Sequence, residues 1–214
     1  MSRISRRSLL TTGAAAGVLA ASGLGLAAAT PKAGGTLRAV LPGGRTSDTW
    51  DARTHDSLFM MAASHGAVFD CLTEIGPDGA LRGELAESWT ASADGRVWTF
   101  DLRKDVQFHN GKSFVAQDVL ETFALHMGQH TSPVEPLLRG VSELKAVGPN
   151  QVQFTLHASN ADFPYLLSDY HLVIYPAGYV ELAIQNGIGT GLYKVEEFLP
   201  GQVLRAHRVP NHYK

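Results

Sequence analysis

The sequence predicts an α/β fold. Segments that alternate apolar and polar residues are interleaved with segments whose apolar residues recur at helical spacing, and Gly- and Pro-centred turns separate them. With 214 residues, 44% of them hydrophobic and 18% charged, the chain suits a globular protein with a real core. Disorder and full membrane embedding do not fit that composition.

The first element is an export signal over residues 1–29. Arg3, Arg6 and Arg7 precede an uncharged Ala-, Gly- and Leu-rich run from Leu9 to Ala29, the pattern of a twin-arginine signal. Ala27-Ala28-Ala29 offers the small side chains a signal peptidase accepts, so cleavage is expected after Ala29. The run is long enough to span a bilayer, yet its Gly and Ala content makes it a poor permanent anchor.

The expected mature part begins with a strand, Gly35 to Leu41, which stops at Pro42-Gly43-Gly44. A polar loop, residues 45–56, carries one large aromatic, Trp50. Leu58, Met61, Ala62, His65, Val68 and Phe69 then fall near helical spacing between Ser57 and Asp70. Gly76-Pro77-Asp78-Gly79 is a turn. Trp89–Ser92 and Arg96–Arg103 flank Ala93-Asp94-Gly95 as a hairpin that turns Trp98, Phe100 and Leu102 inward. A helix starts near Ala116, with Asp118 placed where the dipole favours a negative charge. Val115, Val119, Leu120, Phe123 and Met127 make its buried stripe. Beyond Gly148-Pro149-Asn150 come a period-two strand, Gln151–Leu156, a short buried strand, Val173–Tyr175, and a helical turn or two over Tyr179–Ile184. A second hairpin joins Gly191–Phe198 to Val203–Arg208 through Pro200-Gly201.

Charge and cysteine content exclude several classes. Loss of residues 1–29 would leave 15 Lys and Arg against 20 Asp and Glu, a formal −5. Such a mildly acidic protein is not built for nucleic acid, whose phosphates need a basic face. The single cysteine, Cys71, lies among apolar neighbours and cannot form an intramolecular disulfide, so a buried free thiol is expected. No lipobox cysteine follows the signal.

Three constellations invite a chemical reading. His109, beside Asn110 and Gly111, has Asp105 and Asp118 within reach along the sequence, but a catalytic histidine also needs a nucleophile. His126 and His130 have the i, i+4 spacing of a metal pair on a helix. Gly128 and the following Thr131-Ser132-Pro133 end the helix there, so a frayed, solvated end is expected. Gly187, Gly189 and Gly191 lack the G-x-G-x-x-G step and no helix follows, which argues against a nucleotide. No G-x-S-x-G elbow is present.

Three stretches carry a resemblance: LAESWTASADGRVWTFDLRKDVQFHNGKSFVAQDVLETF (Leu85–Phe123), ELKAVGPNQVQFTL (Glu143–Leu156) and GIGTGLYKVEEFLPGQVLRAHRVPNHYK (Gly187–Lys214). In this order they resemble the extracellular solute-binding proteins of family 5, the peptide and nickel receptors of ABC importers. The chain departs from the family at Leu192, where a proline is usual; proline would pin the strand entry.

The resemblance implies an α/β periplasmic binding protein type II-like fold. It would be partial, with one lobe and an associated subdomain over residues 30–214 and the second lobe missing. On this reading the chain is an amino-terminal fragment. The FHNGK turn becomes scaffold and His109 a structural residue. The resemblance also implies no enzymatic activity, no catalytic residue, no resident metal and no cofactor. Ligand contact falls to Asp48, Trp50, Asp51 and His55 in the loop after the first strand, and to Asp169, Tyr170 and His171 beyond the 151–156 strand. Trp50 and Tyr170 offer apolar contact with a polar tip, and the aspartates suit an ammonium group. The implied function is capture of a small solute, a peptide, by hinge closure, and delivery to permease subunits in the inner membrane. The receptor would be a periplasmic monomer exported by the twin-arginine route. Receptors for nickel, metal chelates or haem are the alternative within the family; an exported hydrolase or metalloenzyme using His109 or the His126/His130 pair is the alternative outside it.

Overall fold

The computed structural model describes residues 34–128, 132–210 and 212–214, so the expected signal over residues 1–29 lies outside the described residues. The chain divides into two units, residues 1–39 and residues 40–214. Residues 34–39 form no helix or strand and are exposed. The strand expected over Gly35–Leu41 is therefore not formed, and Leu37 and Val40 are 88% and 98% exposed. Alternation makes a strand only when a neighbour takes up its N–H and C=O groups, and no described residue pairs with this segment.

In the second unit a single 3₁₀ turn, Ala52–Thr54, precedes helix α1, Leu58–Ala63, which runs directly into a π turn, Ser64–Val68. Ser57 caps α1, its hydroxyl accepting from Met60 N–H at 3.2 Å. The Gly76–Gly79 turn joins strands β1 (Thr73–Ile75) and β2 (Leu81–Gly83). Strands β3 (Ala86–Ala91) and β4 (Val97–Leu102) form the expected hairpin. Helix α2, Ala116–His126, follows the FHNGK turn, and helix α3, Glu135–Leu138, is one turn. Strands β5 (Val141–Gly148) and β6 (Gln151–Leu156) complete an antiparallel sheet of order β3-β4-β6-β5. Helices α4 (Phe163–Leu166) and α5 (Val180–Asn186) lead to the hairpin β7 (Tyr193–Leu199) and β8 (Val203–Arg208). Among the described residues no helix is long and apolar enough to cross a membrane.

The period-two pattern sets the core. Trp98, Phe100 and Leu102 on β4 and Val152, Phe154 and Leu156 on β6 all point to the buried face, and Trp98 pairs with Phe154 across the ladder. Helix α2 lays Val119 and Phe123 on that face, with the Phe123 ring 5.1 Å from Phe154. Phe163 of α4 closes the cluster, 5.1 Å from Phe154 and 6.4 Å from Phe100. A second core gathers Trp50, Met60, Val68, Phe69, Cys71, Val173 and Tyr175.

Two further expectations are corrected, and strands β1, β2 and β5 are added. Val173–Tyr175 is buried but joins no ladder. Its amides are taken instead by Asp70 O, 2.9 Å from Ile174 N, and by the Thr122 hydroxyl, 2.9 Å from Tyr175 N, so a strand neighbour is not needed. The helix end at His126 is not solvated: the ring is fully buried, and its Nδ1 lies 2.7 Å from the Ser132 hydroxyl on the returning chain. His130 lies outside the described residues. Strand β5 escaped the pattern because only Val141 of it is buried and two bulges interrupt its register.

Candidate functional site

The loop after residue 41 and the segment after α4 meet above the second core. Asp51 organises the first of them. Its Oδ1 accepts from Arg53 N–H at 3.1 Å and caps the 3₁₀ turn, while the Arg53 guanidinium grips both carboxylate oxygens at 2.9 and 2.8 Å. Arg53 and the backbone hold the Asp51 carboxyl below the usual range, although burial works the other way. Asp48 turns back on its own loop and accepts from Arg45 N–H at 2.7 Å.

Tyr175 ties this loop to the chain after α4. Its hydroxyl donates to Trp50 O at 2.6 Å and accepts from Ala52 N–H at 2.9 Å, so one buried group satisfies two backbone sites. His171 makes the second tie. Its Nδ1 faces Asp169 Oδ1 at 2.7 Å and its Nε2 faces His55 O at 2.9 Å. Both partners are oxygen acceptors, so the ring bridges a carboxylate and a backbone carbonyl. The His55 ring sits 3.1 Å from Thr49 O, and burial pushes its pKa down to about 4.

All seven residues named from the sequence therefore fall at one junction, but they do not share one exposure. Trp50, His55 and His171 are 1%, 2% and 6% exposed and act as packing and ties. Trp50 lies 4.6 Å from Phe198 and 6.1 Å from Phe69, ring centre to ring centre. Asp48 is nearly as buried, whereas Asp51, Asp169 and Tyr170 keep solvent-facing surface. The Tyr170 ring stacks on His171 at 3.9 Å. Beside Trp50 opens a hollow of about 430 Å³ whose lining includes Asn110, Asn186, Lys194, Glu196 and Phe198. None of these five was named from the sequence as a ligand contact: Lys194, Glu196 and Phe198 lie on β7, Asn110 in the FHNGK turn and Asn186 at the end of α5, positions far apart in the chain.

His109 is a strap. Its Nε2–H donates to Gly191 O at 2.9 Å, its Nδ1 accepts from Gly189 N–H at 3.4 Å, and its own N–H donates to Gly189 O at 2.8 Å. Burial lowers its pKa. Gly111 takes φ +87° in the FHNGK turn, as the backbone reversal requires. The glycines that follow α5 are needed for close approach: a Cβ on Gly189 would lie 2.0 Å from Val68 O, and one on Gly191 2.4 Å from Ala67 O. We expect His109→Ala to lower the unfolding free energy by about 1–3 kcal/mol, the loss from leaving buried hydrogen-bonding groups unpaired. Urea denaturation measures this; an unchanged midpoint would deny the strap.

The fold is of the periplasmic binding protein class, of which the chain forms a part. Residues 80–214 match the family model described as "Bacterial extracellular solute-binding proteins, family 5 Middle", and the chain belongs to that family. It is 34% identical over 140 residues to the nickel-binding periplasmic protein of Escherichia coli (strain K12), covering 61% of this chain and 26% of that protein. Its fold is like that of the periplasmic binding protein AgaA of A. tumefaciens R10 in complex with agropinic acid. There the TM-score is 0.72 and the identity 24%, over 80% of this chain and 35% of the other. DppA from Helicobacter pylori, in complex with the peptide STSA, gives TM-score 0.69 and 24% identity over 80% and 39%. The chain thus spans about a quarter of the length of the curated relative, 26% of it.

Proposed function

We propose that this chain is part of the substrate-binding component of an ABC importer, a receptor that captures peptides by hinge closure and hands them to permease subunits in the inner membrane. Family membership over residues 80–214 is the observation that carries this reading. A closed form is favoured when one solute touches both lobes, because only that form collects both sets of contacts. In this reading the junction of Asp48, Trp50, Asp51, His55, Asp169, Tyr170 and His171 faces the ligand. Asp51 and Asp169 offer carboxylates to an ammonium group, Tyr170 offers a ring, and the buried members hold the two segments in place. The protein makes and breaks no bond, works as a monomer and is exported by the twin-arginine route.

A second reading, a receptor for nickel complexes, is favoured by the 34% identity to the nickel-binding protein. Binding calorimetry and thermal-shift assays of the whole receptor against di- to pentapeptides and against nickel–histidine separate the two. A ligand present at a hundred times its Kd adds about 2.7 kcal/mol to stability. Peptides are expected to raise the melting temperature accordingly. A shift with nickel–histidine alone would transfer the assignment to the second reading, and a shift with neither would reject both.

A further inference from the structure

Beside that junction, the π turn, the residues just before β1 and the link from β2 to β3 bring a nitrogen, a sulfur and an oxygen donor together. They are His65, Cys71 and Glu84, and their ligand atoms all lie within 4.8 Å of one another. Glu84 and Cys71 are buried, at 1% and 0% exposure, and the His65 side chain is 22% exposed, which leaves a way in. His65 Nε2 is already 3.1 Å from Glu84 Oε2. The Cys71 thiol donates to Asp169 O at 3.3 Å and is in no disulfide.

We propose that His65, Cys71 and Glu84 form a binding site for one borderline divalent cation of the Zn²⁺ or Co²⁺ kind, joining the π turn to the β2–β3 link. Thiolate, imidazole and carboxylate together are a zinc-type donor set, and three protein ligands leave a fourth position for water. Bonds of about 2.0–2.3 Å require the three donors to draw in by about an ångström, a change within reach of side-chain rotation. Asp70 and Glu84, both buried, and the partly buried Glu74 all converge on the Lys214 ammonium, which is 3.5 Å from Asp70 and 3.0 Å from Glu74. A metal would displace the thiol proton and take its place.

The test uses Co²⁺, added to the chain after chelator treatment. Cys71 is the only cysteine, so a thiolate-to-cobalt charge-transfer band can come from nowhere else. One equivalent is expected to produce that band and Zn²⁺ to bleach it. Cys71→Ser should abolish it, and His65→Ala and Glu84→Gln should each weaken binding at least about tenfold. Circular dichroism checks that each variant is folded; should Glu84→Gln not fold, His65→Ala, altered at the partly exposed ligand, decides. No charge-transfer band in the folded wild type, or a band that His65→Ala leaves at full affinity, overturns the proposal. A nickel complex held at the other junction would give no sulfur band, so this test stands apart from the receptor reading.

Discussion

Replacing Asp118 by alanine is expected to lower the unfolding free energy by about 3–5 kcal/mol, the cost of breaking a buried ion pair from one side. Asp118 is fully buried at the start of α2, yet its carboxylate serves three donors in different parts of the chain. Oδ2 accepts from Val115 N–H at 2.7 Å, and Oδ1 accepts from Ala177 N–H at 2.6 Å and from the Lys112 ammonium at 2.5 Å. Alanine would strand two amides in the interior and leave the ammonium without its partner. Because the Lys112 side chain is 25% exposed, it can turn to water, which favours the lower end of that range. Asp118→Asn keeps an acceptor but not the charge, so its loss should be smaller. Urea denaturation followed by tryptophan fluorescence reads both, and a shift for alanine no larger than that of a surface substitution would show that the carboxylate does not hold these segments together.

The second large effect is expected at Phe154. This ring, fully buried on β6, meets Phe100 at 5.7 Å, Phe123 at 5.1 Å and Phe163 at 5.1 Å, so sheet, α2 and α4 converge on it. Phe154→Ala removes the transfer free energy of the ring and leaves a cavity that three rigid neighbours cannot fill; the expected loss is about 3–5 kcal/mol. Phe154→Leu should retain most of the stability. Equal losses for the two variants, measured by calorimetry or urea, would mean that ring packing is not what joins these elements.

These two residues also show how far a linear reading reaches. Phe154 was legible, because alternation along Gln151–Leu156 says which side chains face inward and one buried face fixes the register. Asp118 was half legible: its place in the first helical turn was clear, but its bonds to Lys112 and Ala177 join positions 6 and 59 residues away. The same division holds at the junction of residues 48–55 with residues 169–171. Its seven residues were named through a family resemblance, and they do come together. Nothing local could say that Trp50, His55 and His171 would be buried ties, with Asp51, Asp169 and Tyr170 left at the surface. For Gly35–Leu41 the pattern misled, since alternation is necessary for a half-buried strand and a partner is also required.

The sequence by itself determined the hairpins β3–β4 and β7–β8, the main helix, the inward faces of β4 and β6, the free thiol and the family. All of these follow from short-range periodicity, turn chemistry or motifs of adjacent residues. Only the tertiary structure decided that His109 straps Gly189 and Gly191 and that Tyr175 joins two distant loops. It alone brought His65, Cys71 and Glu84 to one point. Each of these depends on contacts between residues far apart in the chain, which form when buried polar groups must find partners wherever the packed core places them.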